Sequence, residues 1–137
     1  MCNDCKATLL AYNNTNQVVA ANSTISTPIT SIEGCGIKFN NAATITRAGT
    51  YLVNISANAL ATTAGDLSLQ LVNNGSNVPG AIAVATGTTT GTLNLNVNYL
   101  LTVKKSCNCI DNKAVLTLLN SGVGATYSNV VMTIARV

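Results

Sequence analysis

Five cysteines are the residues of this chain best suited to chemistry. Cys2 and Cys5 stand three apart in MCNDC, Cys107 and Cys109 two apart in SCNCI, and Cys35 alone in EGCGIKF. Thiolates from Cys2, Cys5, Cys107 and Cys109 would complete a tetrahedral zinc site. C-x-x-C is a usual zinc knuckle and C-x-C a less usual one, and the first residues would have to fold back onto a distant turn. A redox C-x-x-C needs a helix N-terminus to lower the thiol pKa, and no helical period follows MCNDC. Disulfides account for all five better. Cys107 and Cys109 bracket a turn and face apart, so each reaches a different partner, with Cys35 a candidate mate for one. Cys2 and Cys5 lie at the chain's start and are candidates for bonds to a neighbouring chain. The odd count leaves at least one thiol per chain free or bonded elsewhere, and such bonds need oxidising surroundings. Zinc and reduced, idle thiols stand as alternatives.

Other chemistry finds little support. The chain has no histidine, so Ser-His and Cys-His nucleophiles are excluded. Its acids, Asp4, Glu33, Asp66 and Asp111, fall in separate tails and turns, where acid–base catalysis needs two together. No loop approaches the oxygen ligands calcium requires, and the glycines punctuate strands rather than open a phosphate-binding helix. The expectation is a protein that is not an enzyme and needs no cofactor.

Composition narrows the class further. Charged residues are 8% of the 137 residues, against roughly 25% in an average soluble protein; Asn, Thr, Ser and Gly carry the polar load. Apolar residues reach 47%, yet no run approaches the ~18 a membrane helix needs. The bases Lys6, Lys38, Arg47, Lys104, Lys105, Lys113 and Arg136 are scattered along the chain. Only one pair is adjacent and no aromatics interleave, which predicts solvated lysines and no nucleic-acid groove. The opening residues lack a secretory pattern. That predicts synthesis in the cytosol without Sec export, followed by release on lysis.

These residues must be positioned by strands, because period-two alternation dominates. Tyr51, Val53, Ile55, Ala57 and Ala59 form one row; Leu93, Leu95, Val97, Tyr99, Leu101 and Val103 another; Leu67, Leu69 and Leu71 a third. Shorter strands are predicted over Thr8–Tyr12, Gln17–Ala20, Gly36–Asn40, Ala43–Thr46, Ile82–Ala85, Ala114–Leu119 and Asn129–Val137. Asn, Gly and Pro turn signals separate them. About nine or ten strands, each with an apolar face to bury, predict an all-β sandwich or jelly roll. Residues 7–137 would form this domain, with 1–6 a cysteine-bearing arm.

The segment FNNAATITRAGTYLVNISANAL, with Phe39, Ile45, Gly49, Tyr51, Val53 and Ile55, resembles the C1q/TNF-like superfamily. The likeness includes the C-terminal domains of bacterial collagen-like spore-surface glycoproteins and phage decoration or head-fibre proteins. LSLQLVNNGSNVPG, LNVNYLLTVKKSCNCIDNKAVLTLLNSG and VVMTIARV succeed it in the order of that pattern, from about residue 7 to 137. A collagen stalk is missing, and five cysteines are additional to it. The resemblance implies a jelly-roll homotrimer. Apolar residues on second faces fit this, and Leu52, Leu60, Leu100, Val130, Met132 and Ile134 are the candidates for a three-fold interface. The expected role is a trimeric virion decoration or head-fibre protein, held by its arm on a capsid lattice, with adhesion as a further expectation. A cysteine-cross-linked spore-surface protein on its own lattice is the alternative. A carbohydrate-binding module is a third reading, disfavoured by four Tyr, one Phe and no Trp.

Overall fold

The computed structural model describes residues 6–104 and 113–137; residues 1–5 and 105–112 lie outside the described residues. In chain order the strands are β1 (Ala7–Asn13), β2 (Gln17–Val19), β3 (Ser23–Ile25), β4 (Ile29–Gly34), β5 (Ile37–Phe39) and β6 (Ala43–Ile45). They continue with β7 (Gly49–Ala61), β8 (Gly65–Asn73), β9 (Ser76–Gly87), β10 (Leu93–Val103), β11 (Ala114–Asn120) and β12 (Ala125–Arg136). No helix occurs among the described residues.

Two antiparallel sheets result. One runs β10-β7-β12-β1-β4 with β2 alongside β12; the other runs β5-β6-β11-β8-β9 with β3 alongside β11. The alternating rows read from the sequence meet between them. Tyr51, Val53, Ile55 and Ala57 of the first sheet and Leu67, Leu69, Leu71 and Leu116 of the second are all at most 2% exposed. Burying each such side chain contributes roughly 1.5–3 kcal/mol, so period-two patterning supplies the core of the sandwich. The all-β jelly roll expected from sequence is the fold observed.

The departures have local causes. β3 is only three residues long, and ITSIEG of β4 lacks an apolar row; every residue of β4 is exposed, as befits an edge strand held only by β1. β12 starts at Ala125 rather than Asn129 because it contains a bulge. The register shifts between Ser128 and Val131, with Asn129 at φ 50°. An extra residue inverts the parity of the strand beyond it, so Val130, Met132 and Ile134 continue the inward row of Ala125 and Tyr127. They are 0%, 1% and 1% exposed. These three, expected at an interface between copies, instead belong to the protomer's own core. Both rows of the strand are apolar, and the bulkier one takes the interior.

Two buried amides hold the irregular parts. Asn120, fully buried, donates to the carbonyls of Val19 (3.1 Å), Ala20 (3.2 Å) and Val123 (3.0 Å). Its Oδ1 accepts from Gly122 N at 3.3 Å and from the Tyr127 hydroxyl at 3.1 Å. Gln70 donates to the carbonyls of Leu71, Val78 and Ala81, pinning the irregular part of β9 over β8.

Candidate functional site

The outer face of the first sheet is built in rows by its register. Glu33, Thr8, Ala135, Leu52 and Leu100 lie side by side across β4, β1, β12, β7 and β10. The next rows are Ser31, Leu10, Thr133, Asn54 and Asn98, then Ile29, Tyr12, Val131, Ser56 and Asn96. Two halves emerge. The β4–β1–β12 half carries Ile29, Leu10, Tyr12 and Val131, and a groove of about 360 Å³ crosses it between Leu10, Ser31, Glu33 and Ala135. The β7–β10 half is an amide array. There Asn94 donates to Asn58 Oδ1 at 2.8 Å and to Ser56 Oγ at 3.3 Å, and Asn96 donates to Asn94 Oδ1.

Among the sequence-predicted interface residues, Leu52, Leu60 and Leu100 lie on this face. Leu100 is 61% exposed and pairs directly with Leu52, while Leu60 sits apart beside Thr126. Sequence reading missed Leu10, Tyr12, Ile29 and Val131, because their strands look amphipathic or irregular when taken singly. Only the β4–β1–β12 register brings them together.

The second concentration is electrostatic, and it corrects the picture of scattered bases. Ala7 pairs with Gly34, setting Lys6 beside Cys35. Val103 pairs with Gly49, which brings Lys104 next to Ala48. Ala114 pairs with Ile45, placing Lys113 near Thr46, whose N–H reaches the Gly36 carbonyl at 2.8 Å. Arg136 pairs with Tyr51 and donates to the Ala48 carbonyl at 3.4 Å. Arg47 donates from Nη1 to Cys35 Sγ at 3.0 Å, and its backbone carbonyl accepts from the Tyr51 hydroxyl at 2.9 Å. Lys38 stands two residues beyond Gly36 on β5. Six cations thus collect at the end of the sandwich where β1 begins. Gly36, at φ 91°, is required there: a Cβ would meet Arg47 Cγ at 2.7 Å.

The opposite end contrasts with it. Its connections include 62–64, 88–92 and 121–124, built of Thr, Ser, Gly, Ala and Val, and 20–22, which ends in Asn22. Asp66 lies there, and no base does among the described residues.

Cys35 is half-buried and disulfide-bonded. Cys2, Cys5, Cys107 and Cys109 lie outside the described residues, and with them the four-thiolate zinc reading. Among the described residues no three His, Cys, Asp or Glu side chains group to hold a metal.

With this geometry in hand, comparison with solved structures is decisive for the fold. The Eiger TNF of S. frugiperda superposes with a TM-score of 0.67 at 12% identity, over 97% of this chain and 92% of that one. Murine APRIL at pH 5.0 gives 0.68 at 8% identity, over 98% and 100%. The globular domain of zebrafish complement 1qA gives 0.63 at 12% identity, over 96% and 97%. The fold is the C1q/TNF-like jelly roll. PRD1 vertex protein P5 is similar too, with a TM-score of 0.56 at 14% identity over 96% of each chain. No protein-family model and no curated protein matches the sequence. At identities of 8–14% the likeness is one of fold.

Proposed function

We propose that this chain is a non-enzymatic structural protein that works as a homotrimer on the surface of a virion, as a decoration or head-fibre protein. The observation that carries the reading is the outer face of the β10-β7-β12-β1-β4 sheet. Its half-exposed apolar residues Leu100, Ile29 and Leu10 are left uncovered by the protomer, on a fold whose resemblance implies a trimer. An exposed apolar surface of this kind is costly unless a partner covers it. The likeness to PRD1 vertex protein P5 supports a virion over other particles. The arm of residues 1–6 would then be the tether to the underlying lattice, with Cys2 and Cys5 available for bonds between chains. A spore-surface protein cross-linked through the same cysteines is the second reading, favoured by the five cysteines.

Deleting residues 1–6 tests the tether. The truncated protein is expected to stay a folded trimer by light scattering and to lose occupancy on its particle. Full occupancy by the truncated protein would sink the arm assignment. Gel mobility in SDS with and without reductant checks the cross-links; monomer in both lanes rules out bonds between chains.

A further inference from the structure

We infer that the end of the sandwich bearing Lys6, Lys38, Lys104 and Lys113 is a docking face for an acidic protein surface. The inference rests on the attachment reading and deepens it by naming the chemistry of the partner. The strand register converts bases far apart in sequence into one cationic pole. Lys6, Lys38, Lys104 and Lys113 stand exposed at this end beside the side-chain carboxylate of Glu33, and among the described residues the opposite pole offers only the side chain of Asp66. So lopsided a distribution in a chain with 8% charged residues gives the molecule an electrostatic direction. It turns the end where β1 begins toward negative charge.

The shape of this end selects the kind of anion. Between Lys104 and Lys113 lies a pit of about 420 Å³, lined also by Asn73, Asn74 and Thr102. Lysines flank it as point charges, while amides and a hydroxyl supply neutral donors on its wall. Asn74 is itself fixed, at φ 52°, with its Nδ2 donating to the Lys113 carbonyl at 3.0 Å and its Oδ1 accepting from Val115 N at 3.2 Å. A depression of this size accepts one or two acidic side chains. A nucleic acid asks instead for a continuous track of phosphate contacts, often with arginine forks. Here both guanidinium groups are engaged within the chain, Arg47 on Cys35 Sγ and Arg136 on the Ala48 carbonyl.

Binding of poly-L-glutamate to the full chain tests this, with duplex DNA as competitor. Wild type is expected to bind poly-L-glutamate at about 50 mM salt and to weaken steeply by about 300 mM, as exposed charges are screened. Lys6→Glu, Lys104→Glu and Lys113→Glu together should weaken binding at least about tenfold, and the corresponding Gln variant should do so less. Asp66→Lys, at the opposite pole, should leave it unchanged. Circular dichroism and light scattering establish that each variant is folded and of unchanged oligomeric state. Binding undiminished in both lysine variants overturns the docking face. Duplex DNA held tenfold more tightly than poly-L-glutamate overturns the acidic-protein assignment and makes the partner a nucleic acid. A protein that proves monomeric yet keeps this lysine-dependent binding refutes the trimeric reading and leaves the docking face standing.

Discussion

Asn120 ties together the neighbouring ends of β2, β11 and β12. It ends the inward row Ala114, Leu116, Leu118 of β11 with a polar residue in a fully buried position. The carbonyls of Val19 at the end of β2 and of Ala20 and Val123 in two connections, together with the Tyr127 hydroxyl, rely on it. Asn120→Ala would leave several buried polar groups unpaired and cost about 3 kcal/mol, lowering the melting temperature by roughly 10 °C; thermal unfolding followed by circular dichroism measures this. Its partner Tyr127 makes a pH-dependent prediction. Burial pushes the Tyr127 phenol up to about 12 from its usual 10.0. The unfolded chain therefore releases this proton first, near pH 10, while the folded chain holds it until about pH 12. The group's contribution to stability is intact below pH 10 and is lost between pH 10 and 12. Tyr127→Phe should flatten the fall of melting temperature in that window relative to wild type. An equal fall in both proteins would remove Tyr127 from the account.

At the scale of elements, β12 shows what alternation does and does not specify. The apolar rows of β7, β8 and β10 are legible directly, since each has one row that is clearly more apolar than the other. In NVVMTIARV both rows are apolar, so parity alone cannot orient the strand; the bulge at Asn129 decides it. A left-handed residue costs a β-branched side chain about 1–2 kcal/mol. Asn129→Val should therefore lower the unfolding free energy by that amount, seen as a lower denaturant midpoint, whereas Asn129→Gly should leave it near wild type. Equal midpoints for the two would mean that the strand can re-register without the bulge. β3 and β4 are illegible for another reason: their stability comes from pairing with β11 and β1, not from rows of their own. The same limit hides the candidate site. Leu52 and Leu100 can be read from single strands, but Leu10, Tyr12, Ile29 and Val131 become neighbours only through register. The buried Asn120 is readable in principle, as a polar residue in phase with an inward apolar row.

For the whole molecule, both sheets expose large apolar side chains, and substituting one on each tests which sheet joins copies of the chain. Leu100 and Val84 are similarly exposed, at 61% and 57%, but lie on opposite sheets. Leu100 pairs with Leu52 in a row that runs on through Ala135. Val84 lies on the edge strand β9, opposite Ser68. If the β10-β7-β12-β1-β4 face joins copies of the chain, Leu100→Asp buries a carboxylate against a neighbour's apolar surface. It should dissociate the trimer at micromolar concentration, because an unpaired buried charge costs several kcal/mol. Val84→Asp places the same charge in water and should leave the assembly whole. Light scattering on both variants gives the masses directly. A trimer that survives Leu100→Asp but not Val84→Asp would move the interface to the second sheet. Persistence of both trimers would place it away from either position. The cationic pole lies at the end of the sandwich rather than on either sheet face. Assembly through the first sheet would therefore leave three such poles uncovered on one particle. Dissociation by Leu100→Asp should consequently weaken poly-L-glutamate binding through lost multivalency, without changing the affinity of the single protomer.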